Sequence, residues 1–125
     1  MRVMVLPFLA AAACSTTDRP IAFGPSYDGI EAVALDDTLI NIRASVSGDA
    51  TADDAIMYAE CAVAQFALFK GSSFARQLRT TVDTVDGALV ADTAYTISED
   101  VPAGVRKMDA EVVMAACRDA GIPTV

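Results

Sequence analysis

The stretch from Phe74 to Ser98 constrains the fold of this chain more than any other, because two alternating segments flank an Asp86-Gly87 pair. Asp-Gly supplies the positive φ angles that a two-residue hairpin turn needs, since glycine has no Cβ to clash and aspartate tolerates the left-handed region. In the first segment Phe74, Leu78 and Val82 mark one side, with Arg76, Thr80 and Thr84 between them. In the second, Leu89, Ala91, Thr93, Tyr95 and Ile97 line one side. Threonine, valine and tyrosine suit a pleated, half-buried surface. A hairpin over residues 74–85 and 89–98 is therefore expected, and the remaining elements have to pack on it.

Residues 39–47 alternate as cleanly, with Ile40, Ile42, Ala44 and Val46 on one face and Asn41, Arg43, Ser45 and Ser47 on the other, which predicts a half-buried strand. Helical spacing then takes over across 51–70. Thr51 is placed to cap the first turn and Asp54 to favour it, and Ala52, Ala55, Ile56, Ala59, Ala62, Val63 and Phe66 share one side. A second apolar strip, Met57, Cys61, Ala64 and Leu68, predicts a helix wedged between two neighbours. Pro102 and Gly104 make 99–108 a loop, with room for a short strand at 105–107 that the expected sheet does not count. Asp109 opens a last helix over 109–120, which Gly121 and Pro123 end. The order is strand, helix, hairpin, helix. The expected fold is α+β: a three-stranded, largely antiparallel sheet with both helices packed on one face.

The amino terminus reads as an address. Arg2 precedes an apolar run from Val3 to Ala13, shorter than the ~20 residues that span a bilayer as a helix. Leu9, Ala11, Ala12, Ala13 and Cys14 resemble a lipobox, where a bacterial lipoprotein is cut before a cysteine that then carries lipid, although Ala11 stands where a branched aliphatic residue is usual. Ordinary secretory cleavage after Ala13 fits the same small residues. The expected organisation is a signal peptide at 1–13, a lipidated tether at 14–37 and one α+β domain at 38–125. Pro20, Gly24, Pro25 and Gly29 favour the tether; the alternative packs Ile21, Phe23, Tyr27 and Ile30 along the domain.

Lys and Arg number 9 against 17 Asp and Glu, a formal charge of −8, and the chain has no histidine. That acidity repels nucleic acid and anionic membrane surfaces, so attachment to a bilayer has to come through acylated Cys14 and not through a basic patch. Lack of histidine removes the commonest metal ligand and the usual base of nucleophilic triads. The paired carboxylates, such as Asp36-Asp37 and Asp53-Asp54, sit at loops and helix starts, where capping and solvation account for them. Arg76 and Arg79 invite an anion site, but charge compensation beside Asp83, Asp86 or Asp92 is the plainer reading. No catalytic residue, metal ligand or cofactor site is assigned.

With Cys14 assigned to lipid, Cys61 and Cys117 remain as an even pair in a compartment where bridges form. Two helices side by side bring them together only if their Cα atoms come within ~7 Å. The alternative is two buried, unpaired thiols.

The lipobox-like start, the Gly/Pro/Tyr arm, the strand, the alanine-rich helix with Tyr58-Ala59-Glu60 ending at Gly71 before Phe74, and the closing Asp109, Ala110 and Val113 together resemble small Gram-negative envelope lipoproteins of unknown function. The resemblance covers residues 37–125 and implies no catalytic or ligand residue. It implies a non-enzymatic lipoprotein on the outer membrane, facing the periplasm, with a structural or accessory role and an envelope protein as partner. The alternatives are a soluble periplasmic location, and a binding or inhibitor module that holds a protein or small ligand.

Overall fold

The computed structural model describes residues 24–124. In chain order the elements are β1 (Pro25–Ala34), β2 (Leu39–Gly48), α1 (Ala52–Phe69), β3 (Phe74–Val85), β4 (Ala88–Ser98), β5 (Lys107–Asp109) and α2 (Ala110–Ala120). The strands form one five-stranded sheet in the order β1-β2-β4-β3-β5, and every pairing is antiparallel. The chain leaves β2, crosses through α1 to β3, and returns by the hairpin so that β4 fills the slot between β2 and β3.

The three-stranded expectation is therefore corrected: two edge strands flank the three that periodicity picks out. The first, β1, occupies residues 25–34 of the stretch read as a tether. Its proline is the first residue of an edge strand, where a missing amide donor leaves no ladder bond unmade. Gly29, at φ +141°, sits where the β1–β2 register shifts between Tyr27 and Gly29, so this glycine marks a bulge within a strand. Tyr27 then packs edge-on against Tyr58 of α1, ring centroids 4.9 Å apart, and fastens β1 to the core. The second added strand, β5, begins two residues later than the one expected and pairs with the start of β3, Phe74 opposite Asp109 and Arg76 opposite Lys107. Three residues are too few to show a period.

The connection between β1 and β2 is built by Asp36. Its Oδ1 accepts from the amides of Thr38 and Leu39, both at 2.8 Å, and from the Thr38 hydroxyl at 3.2 Å. Those bonds, Thr38's first, hold its carboxyl below the usual aspartate range. At the other hairpin, Asp86 and Gly87 have φ of 50° and 81°, the two left-handed positions that the pair was expected to supply.

The core lies between the sheet and α1. Ile40, Ile42, Ala44 and Val46 of β2, with Ala91, Tyr95 and Ile97 of β4, meet Ala55, Ala59, Ala62, Val63 and Ala67 of α1. Alanines on the helix let it approach the sheet closely, though each buries little apolar area. Central β4 is buried on its other face too, at Val90 and Ala94. Thr51 and Asp54 form a reciprocal capping box at the start of α1, Thr51 N donating to Asp54 Oδ2 at 2.8 Å and Asp54 N to the Thr51 hydroxyl at 3.3 Å. Asp109 caps α2 by accepting from the amides of Glu111 and Val112. α1 covers the sheet, whereas α2 packs against α1 and the short strand β5.

Candidate functional site

Two features meet where α1, α2 and the β5 edge converge. The first is the α1–α2 seam. Cys61 and Cys117, 2 % and 3 % exposed, are joined as a disulfide with their Cα atoms 6.0 Å apart and a separation of 56 positions in sequence. Cys61 belongs to the second apolar strip of α1, and Met57 on the same strip lines this seam with Val113, Ala116 and Ile122. Ile122 folds back beyond Gly121, its amide donating to the Cys117 carbonyl at 3.0 Å, which closes the far end.

The second is a cleft of about 420 Å³ immediately beside that seam, within the size range of small-molecule sites. Glu60 reaches it from α1, Gln77 from β3, Tyr95 from β4 and Arg106 and Lys107 from the β5 edge, while Met108 and Val113 supply apolar wall. Local structure explains how these side chains converge. The β3–β4 ladder shifts register between Gln77 and Arg79, a bulge placed next to the cleft. The loop before β5 is tied to β3 by two bonds, Gln77 N to the Arg106 carbonyl at 3.0 Å and Arg76 Nε to the Val105 carbonyl at 3.3 Å. Arg106 itself has φ +59°, a left-handed conformation uncommon for a residue with a long side chain and often found at functional positions.

The charges of the cleft are left open to it. Tyr95, 2 % exposed, donates its phenolic hydrogen to Gln77 Oε1 at 3.2 Å. Burial, then the negative charge of Glu60, pushes the Tyr95 hydroxyl well above the usual tyrosine range, and the Arg106 guanidinium partly offsets this. Burial alone pushes the Glu60 carboxyl above the usual glutamate range. Among the described residues, the ion pairs are those of Arg43 and Arg79 with Asp92, at 3.8 and 3.2 Å, so Glu60 and Arg106 face the same cleft without pairing to each other.

The remaining sequence candidates fall elsewhere. Arg79 bonds Asn41 and Asp92 on the uncovered face of the sheet, a half-exposed network of the charge-compensating kind, worth little. Arg76 holds the loop that carries Arg106. Asp36 is committed to its turn. Cys14 and the segment 1–13 lie outside the described residues. A second concavity, about 240 Å³, runs between β1 and α1 and is lined by Ile30, Ala32, Ile42, Ala62, Phe66 and Phe69 with Gln65. It is almost wholly apolar, whereas the cleft combines apolar wall with convergent polar groups and raised pKa values, the combination that marks a site.

Sequence reasoning passed over Glu60, Gln77, Tyr95 and Arg106 as site residues. One signal was present: Glu60 is the only charged residue between Asp54 and Lys70, in the middle of an otherwise apolar helix. Arg106-Lys107, a basic pair in a strongly acidic chain, was a second.

Fold and seam define a small, disulfide-tied antiparallel α+β domain with a polar cleft at one sheet edge. The chain belongs to the family described as the YNQ4 C-terminal domain, whose profile matches residues 27–121. That match begins inside β1 and ends just past α2, so it includes the edge strand. A similar protein, described as an uncharacterized 26.9 kDa protein in the nqo8 5′ region of Paracoccus denitrificans, is 33 % identical over 129 residues. The alignment covers 91 % of this chain and 51 % of that protein, so the chain spans about half the length of the relative. No solved structure matches it significantly.

Proposed function

We propose that this chain is a non-enzymatic domain of a bacterial envelope, exported to the periplasmic side and held at the outer membrane by lipid on Cys14, with a structural or accessory role towards an envelope protein. The observation that supports it is the placement of Cys61 and Cys117 in bridging geometry in the α1–α2 seam. Buried cysteines paired in this way belong with an oxidising compartment, because cytosolic thiols are kept reduced. No helix of the described residues is long and apolar enough to cross a membrane, and a lipid anchor requires none. Fractionation of cells expressing the native chain and Cys14→Ser tests the reading. The native protein is expected with the membranes and the variant in the soluble periplasmic fraction or as an uncleaved precursor. A Cys14→Ser protein that is processed normally and still membrane-bound contradicts it.

A second reading, a binding module for a small ligand, is favoured by the cleft that Glu60, Gln77, Tyr95 and Arg106 share. It is compatible with the same location.

A further inference from the structure

The geometry points to the cleft between α1 and the β5 edge as a binding site for a free aliphatic α-amino acid, with Glu60 taking the ammonium, Arg106 the carboxylate, and Met108 and Val113 the side chain. This deepens the binding reading and does not depend on where the protein resides.

The two charges carry the argument. A half-buried carboxylate without a partner is unfavourable, because it has lost water and gained no donor. Glu60 holds such a position within a cleft that also presents an unpaired guanidinium, and the buried Tyr95 hydroxyl responds to both charges. A ligand that brings one ammonium and one carboxylate neutralises each in place. A simple anion leaves Glu60 without a donor, whereas a zwitterion offers its ammonium to Glu60 and its carboxylate to the exposed cationic edge of Arg106 and Lys107. The formal charge of −8 also opposes anionic ligands, whereas a zwitterion carries no net charge to be repelled. Gln77 adds a further polar group to the cleft: its Oε1 accepts from Tyr95, which leaves its amide hydrogens to donate. The walls select an aliphatic side chain, since Met108 and Val113 are apolar and methionine adapts its shape. The backbone around Arg106 is held for this task by the bonds from Gln77 N and Arg76 Nε.

Calorimetric titration of the purified, disulfide-bonded chain tests the assignment with three probes of one skeleton: L-leucine, isocaproate, which lacks the ammonium, and isoamylamine, which lacks the carboxylate. Leucine is expected to bind with Kd below about 1 mM, and each analogue about tenfold or more weakly, the loss that follows when a charged hydrogen-bonding group goes unpaired. Glu60→Gln and Arg106→Asn are expected to weaken leucine binding by a similar factor. Asparagine is chosen because it tolerates the left-handed backbone, and the analogue series on the native chain decides the matter if that variant fails to fold. No heat with leucine up to about 10 mM overturns the inference. So does equal binding of either analogue, or unchanged binding by both variants. Equal binding of the analogues still leaves the cleft a ligand site of another chemistry. Silence with all three probes removes the small-ligand reading and leaves the accessory role untouched.

Discussion

The hydroxyl of Thr93 donates to the main-chain carbonyl of Arg79 at 2.9 Å and lies 2.6 Å from the Thr80 hydroxyl, closing the bulge of β3 from the central strand. Thr93 is 1 % exposed, so its hydroxyl is satisfied by protein groups and not by water. Thr93→Val keeps the shape and removes the donor. It is expected to lower stability by about 1–3 kcal/mol, the range for leaving a buried polar group unpaired. Urea unfolding of the variant beside Thr81→Val, on an exposed position of the same hairpin, checks it; the control is expected to stay within about 0.5 kcal/mol of the parent.

β1 is tested through its bulge. Gly29→Val puts a β-branched residue at φ +141°, a region closed to L side chains, and is expected to destabilise by about 1–3 kcal/mol. Ala32→Val, three residues on in the same edge strand, is expected to be neutral or slightly stabilising, since β-branched residues suit strands. Equal melting temperatures for Gly29→Val and the parent remove the bulge.

Glu60 gives the stability a pH dependence of unusual sign. Its folded pKa lies above the ordinary value of 4.5, so the folded state binds its proton more tightly than the unfolded state does. Stability therefore falls as pH rises from the ordinary value through the raised one, and recovers as the carboxyl is protonated. Glu60→Gln, neutral throughout, is expected to be the more stable protein at pH 7, with the difference closing towards pH about 4. Tyr95, which shares the cleft with Glu60, Arg106 and Lys107, is itself pushed upward and so further from that window. Thermal melts of both proteins across this range check the sign. A difference that widens towards low pH contradicts the placement of Glu60.

Which parts of this fold were legible depended on length and period. The 74–98 hairpin, strand β2 and helix α1 were readable because their apolar residues repeat over ten or more positions and their ends carry turn and cap chemistry, Asp86-Gly87 and Thr51 with Asp54. β1 was not, because Pro25 and Gly29 punctuate the stretch, and in sequence a bulge glycine and a tether glycine look alike. β5 has no period to show. The cleft was hidden for another reason: its polar residues come from four separate segments, and only the crossover through α1 and the bulge at Gln77 bring them together.

The disulfide is expected to matter in a core built largely from alanine. Replacing both Cys61 and Cys117 with alanine is expected to remove about 2–5 kcal/mol, the range for losing a native bridge from a small exported domain. Denaturant midpoints of the oxidised parent, the reduced parent and the double variant separate the covalent constraint from the lost side-chain volume. The reduced parent and the variant should lie close together and well below the oxidised form.

The proposal of export, together with the bridge, is tested most directly by alkylating thiols in intact cells before lysis, then mapping the label on the denatured chain by mass. Cys61 and Cys117 are expected to stay unlabelled until a reductant is added, and Cys14 to carry lipid in place of label. Quantitative labelling of Cys61 and Cys117 without reductant contradicts the account, because it places both thiols free in a reducing compartment.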